Sequence, residues 1–194
     1  MKLYILRHED RTIDASFFGP LSKKGIQNSY NLIPILKNLN INKIYCSPFI
    51  RTLQTIIPYS KKNDIKLNLE YGLIEIKHES IIPPKSHNVL LPCYIAEEFN
   101  YNPEYQSFIN TNQINYPETS LDLQKRAIKL LKHFILKHYK NDENVLLVTH
   151  QGICREILKA INKIIPINEN LEEYSTGVIS LIFDKDSFIY KKIN

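Results

Sequence analysis

In this 194-residue chain two histidines each stand at the end of a short apolar run. His8 closes Leu3-Tyr4-Ile5-Leu6-Arg7-His8, and His150 closes Val145-Leu146-Leu147-Val148-Thr149-His150 ahead of Gln151-Gly152. Runs of this kind read as buried strands of a parallel sheet, and ligands of such sheets bind at the carboxyl edge. Two imidazoles far apart in sequence can therefore meet in one pocket. Arg7 beside the first of them suits an anionic group, above all a phosphate.

Two further segments carry groups of the same kind. Arg51 follows Ser47-Pro48-Phe49-Ile50 and falls in the first turns of the helix that Ser47-Pro48 opens, where anions bind. Glu75 ends Gly72-Leu73-Ile74-Glu75, with Glu70, Glu79 and Asp10 as nearby acids that compete for the same role.

These four segments, in this order, resemble the histidine phosphatase (phosphoglycerate mutase-like) superfamily. Its pattern runs Arg-His-Gly at the end of the first strand, Ser-Pro-x-x-Arg-x-x-x-Thr at a helix start, an acid after a Leu, and a late Thr-His-Gly-type segment. Here these are Arg7-His8, Ser47 to Thr55, Leu73 to Glu75 and Thr149 to Gly152. Each motif is weak alone; four in the right order over almost the whole chain are a strong signal. The resemblance implies that His8 attacks phosphorus and carries it as a phosphohistidine. It also implies that Arg7, Arg51 and His150 surround the transferred group, and that Glu75 protonates the leaving oxygen and then activates water. No metal or other cofactor is implied. The physical logic is charge: a phosphoryl group in transfer spreads negative charge over its equatorial oxygens, which guanidinium forks and an imidazole meet. A nucleophilic ring must be neutral, and neighbouring arginines disfavour its protonation. His150 donates if a nearby acid or the bound phosphate keeps it protonated.

Within the superfamily, Arg7-His8-Glu9-Asp10-Arg11 is similar to an Arg-His-Gly-Glu-Arg branch that includes protein-tyrosine and steroid-phosphate phosphatases, which implies Arg11 as a third phosphate-binding arginine. One departure stands out: Glu9 replaces the glycine after the nucleophile, and a carboxylate there repels substrate unless it turns away or pairs with Arg11 or a lysine. Glu118-Thr119-Ser120, with Asp122 and Arg126, approximates a family stretch that opens a helix and helps order the site, though Ser120 reads equally as a plain N-cap.

The elements that must position these groups alternate as in an α/β protein with a three-layer, mostly parallel central sheet and helices on both faces. Strands are expected at residues 2–7, 43–46, 66–69 and 144–149, with a hairpin from Gly177 to Lys191 turning at Asp184-Lys185-Asp186. Helices follow Ser22 and Ser47-Pro48, with Pro34 expected to kink the first and Pro58 to shorten the second. The clearest helix carries Leu123, Ala127, Leu130, Leu131, Phe134 and Ile135 as one stripe, with His133 and His138 expected on its surface. Residues 77–117, punctuated by prolines, read as an insert over the sheet edge that shapes substrate choice, with a short helix near Tyr94 to Phe99. His78, Lys85, His87, Tyr94, Tyr101, Tyr105 and Phe108 are its candidates for touching substrate.

Length and a 43% hydrophobic content fit one domain over residues 1–194 with a full core. No stretch approaches a membrane span, and the first apolar run is too short for a signal peptide, so a cytoplasmic location is expected. Three cysteines without CxxC spacing fit a reducing compartment. The net charge of +5 suits anionic substrates, a small phosphate ester or a phosphopeptide, while scattered lysines and the absence of Trp argue against nucleic acid. A dimer is compatible with the chain. Cys46 to Arg51 lacks the five-residue spacing of a cysteine phosphatase loop, and no paired-ligand motif supports a metal hydrolase of His8, Asp10, Glu75 and His150. The expected activity is phosphomonoester hydrolysis; mutase-type transfer on a phosphoglycerate and a phospho-ligand binding module without turnover are the alternatives.

Overall fold

A computed structural model describes residues 1–84 and 88–194. Six strands form one sheet: β1 (Lys2–Arg7), β2 (Lys43–Cys46), β3 (Leu67–Leu69), β4 (Asn144–Thr149), β5 (Ile179–Asp184) and β6 (Ser187–Lys192). Their spatial order is β3-β2-β4-β1-β5-β6. The first four run parallel, and β5 joins β1 antiparallel before turning into the edge strand β6. β1 and β4, the strands that end in the two histidines, are neighbours in register, with Arg7 opposite Thr149. Their interiors are almost wholly buried, which is why both sequences are unbroken apolar runs rather than alternating ones.

Among the described residues five α-helices lie between the strands: α1 (Lys23–Asn38), α2 (Ile50–Asn63), α3 (Cys93–Ala96), α4 (Ser120–His138) and α5 (Gln151–Asn162). From β1 through α1 to β2, and on through α2 to β3, the chain steps one way along the sheet; from β3 through α4 to β4, and on through α5, it steps back. Right-handed crossovers then put α1 and α2 on one face and α4 and α5 on the other, and these are the helix pairs that pack together. Pro34 sits inside α1 and Pro58 inside α2, and neither helix ends there; tertiary packing carries both through. The N-cap of α4 is Thr119 rather than Ser120, and it forms a capping box with Asp122. His138, expected on the surface, is buried against Tyr45, whose hydroxyl lies 2.9 Å from Nε2, with Glu143 on Nδ1. Among the described residues of 77–117 the regular structure is α3 and short 3₁₀ turns, and no helix among the described residues is long and apolar enough to cross a membrane.

Candidate functional site

At the carboxyl edge, hydrogen bonds continue one residue beyond the ladder: His8 N donates to Thr149 O at 2.9 Å, and Ser47 N to Val148 O at 3.0 Å. These bonds seat the ends of β1, β2 and β4 side by side, and the His8 and His150 rings lie edge to face with centroids 5.2 Å apart. Both rings are buried. His8 Nδ1 lies 2.7 Å from the Glu9 carbonyl, which can only accept, so the proton is on Nδ1 and the lone pair on Nε2. His150 Nε2 lies 2.8 Å from Ser47 Oγ, while its Nδ1 is buried with no partner among the described residues.

Arginine charge surrounds this pair. Arg51, two residues after the N-cap of α2, is buried, passes 4.6 Å over the Phe49 ring and donates Nη1 to Ser16 O at 2.7 Å; Phe49 in turn lies 4.8 Å from the His150 ring. Arg7 donates Nη1 to the Tyr174 carbonyl. The Nε atoms of both arginines are buried without a partner among the described residues. Burial first and then the Arg51 charge push the His8 pKa down to about 3, with Arg7 and Arg11 adding to the effect. Burial, then Arg51, then His8 also hold His150 well below its ordinary value. Both rings are therefore neutral in the free protein, and no acid accompanies His150. Burial lowers Arg51 itself to about 10.

Two helix N-termini complete the pocket. Phe49 and His150 occupy the N-caps of α2 and α5, and neither makes a side-chain capping bond, so the positive ends of both dipoles face the same place. Glu75 approaches the second: Gly152 N donates to its Oε2 at 3.3 Å, and a Cβ on residue 152 would collide with the carboxylate, which explains the glycine after His150-Gln151. The negative charge of Glu75 also bears on Arg7 and Arg51.

The competing acids are engaged elsewhere. Glu70, wholly buried, accepts from the amides of Gly72, Phe108 and Ile109 and from the hydroxyls of Tyr105 and Ser107; Asp10 takes the Ser22 hydroxyl at 2.5 Å; Glu79 is exposed. Behind Glu75, Arg126 grips Glu118 with two bonds of 2.7 and 2.8 Å and donates to the carbonyls of Gly72 and Ile74. Lys77, also buried, donates its ammonium to Thr111 O at 2.6 Å and fastens the insert to the same segment. Arg11 stands at the rim, half exposed, with Nη1 on the carbonyls of Thr12 and Ile13.

The Glu9 side chain is 4% exposed and turns away, accepting from Asn28 Nδ2 at 3.1 Å and lying over Gly177, rather than pairing with Arg11. His78 is exposed and engaged with Ser80, Tyr94 is exposed, and Tyr105 and Phe108 are occupied by Glu70 and His133. Lys85 and His87 lie outside the described residues. Sequence reasoning gave Ser47 only a helix start, and assigned no role to Asn28 or to the carbonyls of Ser16 and Tyr174. The Ser47-Pro48 motif was a signal for the first; a backbone carbonyl leaves none. Among the described residues no three His, Cys, Asp or Glu side chains are grouped to hold a metal ion. The arrangement can receive one tetrahedral oxyanion against a neutral imidazole lone pair.

Comparison with known proteins gives the family and the fold. A family model described as the histidine phosphatase superfamily (branch 1) matches residues 19–194, beginning after Arg7-His8. The chain is 28% identical over 176 residues to the transcription factor tau 55 kDa subunit of Saccharomyces cerevisiae, covering 84% of this chain but 39% of that protein. It is 24% identical over 207 residues to a 2,3-bisphosphoglycerate-dependent phosphoglycerate mutase of Methanococcus vannielii, covering 90% and 83%. The ecdysone phosphate phosphatase of Bombix mori, solved with tungstate, superposes with a TM-score of 0.71 at 13% identity, over all of this chain and 92% of that one.

Proposed function

Because this chain belongs to the histidine phosphatase superfamily, branch 1, we propose that it hydrolyses phosphate monoesters through a phosphohistidine on His8. The observation that carries the reading is the convergence of two neutral imidazoles 5.2 Å apart with three buried nitrogens, the donors Arg7 Nε and Arg51 Nε and the ring Nδ1 of His150, that no described protein group pairs. Buried polar atoms are ordinarily paired, so three such nitrogens mark a place prepared for a group from outside. A phosphoryl dianion supplies three acceptor oxygens.

In this reading His8 Nε2 attacks phosphorus in line with the leaving oxygen, the P–O bond breaks, and Glu75 gives that oxygen its proton. Water then attacks the phosphohistidine, Glu75 takes a proton from it, and the P–N bond breaks to restore the neutral ring. The Glu9 carbonyl holds the Nδ1 proton throughout, which keeps the lone pair on Nε2. His150 donates from Nδ1 in its neutral form, with the Ser47 hydroxyl donating to Nε2, so no acid partner is needed. Arg7, Arg51 and the uncapped ends of α2 and α5 offset the charge, with Arg11 adding to the field from the rim.

A second reading, a module that binds a phospho-ligand without turnover, is favoured by the yeast relative, which is named for transcription rather than catalysis. One experiment separates them. Hydrolysis of an aryl phosphate, with a rapid alkaline quench to trap phosphorylated protein, is expected to give turnover and a base-stable, acid-labile phosphoprotein, both lost in His8→Ala. Phosphate binding without turnover selects the module, and isomerisation of a phosphoglycerate faster than its hydrolysis selects mutase chemistry.

A further inference from the structure

A cavity of about 200 Å³ lies between the end of the insert and the first turns of α4, and none of the residues that form the phosphate cradle around His8 and His150 lines it. Its charged groups fall into two sets. The acids are already engaged: Glu118 accepts from Arg126 Nε and Nη2 and from the Lys77 amide, and Asp122 accepts the Thr119 amide and hydroxyl on Oδ2 and the Asn115 side chain as well. Arg126 is engaged in turn, by Glu118 and the carbonyls of Gly72 and Ile74. Lys125 and Lys129 are not. They stand one helical turn apart on α4, both exposed, and among the described residues neither ammonium has a hydrogen bond or an ion pair. Lys125 lends its charge to Asp122 from a distance, and Lys129 rests 5.1 Å over the Phe108 ring. Gln113 gives its Oε1 to the Asn110 amide, which leaves both protons of Nε2 to offer. Lys85, Ser86 and His87, which lie outside the described residues, hold no carboxylate that could pair either lysine.

We propose that this cavity is a second binding site, for a short-chain dicarboxylate. Three features fix the class. With its acids engaged and two ammonium groups unpaired, the lining offers donors and unbalanced positive charge, which an anion answers. Side chains one helical turn apart have their Cβ atoms about 5–6 Å from each other, so the two charges are met best by two carboxylates at the ends of a short chain and only half met by one. Between them Ile109 and Ile114 form apolar walls, against which methylene groups are buried favourably. The space is smaller than the roughly 300–1,000 Å³ of sites for drug-sized ligands, which suits a molecule of a few carbons. Such a ligand joins α4 to the insert. The insert side of the cavity is fastened by Lys77, whose ammonium donates to Thr111 O at 2.6 Å and Ile114 O at 3.4 Å, and Lys77 stands two residues beyond Glu75. The site is separate from the cradle and stands apart from the hydrolase reading.

The test is calorimetric titration of glutarate, and of butyrate as its one-ended counterpart, into the full chain with and without saturating vanadate to fill the cradle. Glutarate is expected to bind one to one whether or not vanadate is present, and butyrate to bind at least about threefold more weakly. Lys125→Met and Lys129→Met keep the aliphatic stems and remove one charge each from exposed positions, so both should melt like the wild type. Each is expected to weaken glutarate about threefold to fivefold, and the double variant about tenfold or more. Aryl phosphate turnover without glutarate should be the same in all of them. Glutarate that binds the double variant as well as the wild type, or that vanadate displaces, overturns the site, the second result by placing the dicarboxylate in the cradle. Butyrate binding as tightly as glutarate removes the two-ended ligand, and failure of glutarate to bind at all removes the site.

Discussion

Arg51 and Arg126 are both buried, both lie near Glu75, and differ in what their guanidinium groups touch. Arg126 donates from all three nitrogens to protein: Glu118 from two of them, and the carbonyls of Gly72, Ile74 and Glu75. Arg51 gives Nη1 to a single carbonyl, and its Nε has no partner among the described residues. Burying a guanidinium is costly in either case. Where the donors are paired internally the arginine fixes structure; where they are left unpaired the cost is tolerated for something the protein does. Brace and cradle are thus distinguished by hydrogen-bond accounting alone, without reference to which is nearer the substrate.

That contrast makes opposite forecasts for the same substitution. Arg126→Ala leaves Glu118 buried and unpaired and releases the carbonyls that shape the Glu75 segment, so stability should fall by about 3–5 kcal/mol. For a chain of this length that lowers the melting temperature on the order of 10 °C, readable by calorimetry. Arg51→Ala removes a repulsive charge beside two imidazoles and only one internal bond; it should melt close to the wild type, yet lose about 10² to 10³ in kcat on an aryl phosphate. A large melting shift in Arg51→Ala, with activity kept, would mean that the two arginines had been assigned the wrong way round.

Cradle and brace were not equally visible in the sequence. His8 and His150 were legible because each terminates an apolar run, and parallel pairing of two such runs leaves their ends adjacent. Arg51 was legible because Ser47-Pro48 marks a helix start. The brace was half legible: Glu118 and Arg126 stand out only beside a family pattern, since an acid and an arginine eight residues apart on a helix have many uses. Arg7 and Arg51 are anchored on the carbonyls of Tyr174 and Ser16, and every residue owns a carbonyl, so no residue type announces that contact. The insert was less legible for a related reason. Its aromatic residues drew notice, yet Tyr105 and Phe108 serve Glu70 and His133, while Ile81, Ile82 and Val89 line a cavity. Residue type told less there than the direction in which the loop leaves Glu75.

The neutral imidazoles of the cradle give a smaller effect, visible in stability against pH. Free imidazole titrates near 6.5, and His8 in the fold titrates at about 3, so between these values the unfolded chain binds the extra proton. Stability contributed by a neutral ring is therefore full above pH 6.5 and is lost as pH falls toward 3. The slope is at most about 1.4 kcal/mol per pH unit for each such histidine. Urea unfolding of the wild type between pH 5 and 7 should show this slope, with His150 adding to it in the same direction, and His8→Asn should reduce it by about one proton. An unchanged slope in that variant would contradict the buried neutral ring.

The smallest effect expected concerns Glu9, which resembles Arg126 in being paired inward although it is the immediate neighbour of His8. Its carboxylate takes Asn28, its own amide donates to Thr55 Oγ1 at 3.0 Å, and burial raises its pKa while Asn28 opposes that rise. The charges that bear most on His8 and Arg51 come from the arginines, Glu75 and Asp14, and not from Glu9. Glu9→Gln should accordingly change kcat/KM by less than about twofold, under ~0.4 kcal/mol. The carboxylate has room to turn away because residue 177 is glycine, with φ at +70° and no Cβ to meet it. Gly177→Ala strains that backbone and drives the carboxylate out of its place, so it should cost more activity than Glu9→Gln. The double variant Gly177→Ala with Glu9→Gly should recover part of the loss. If Glu9→Gln alone raises activity tenfold, the carboxylate reaches the phosphate after all, and its burial beside Asn28 is not the reason the cradle tolerates it.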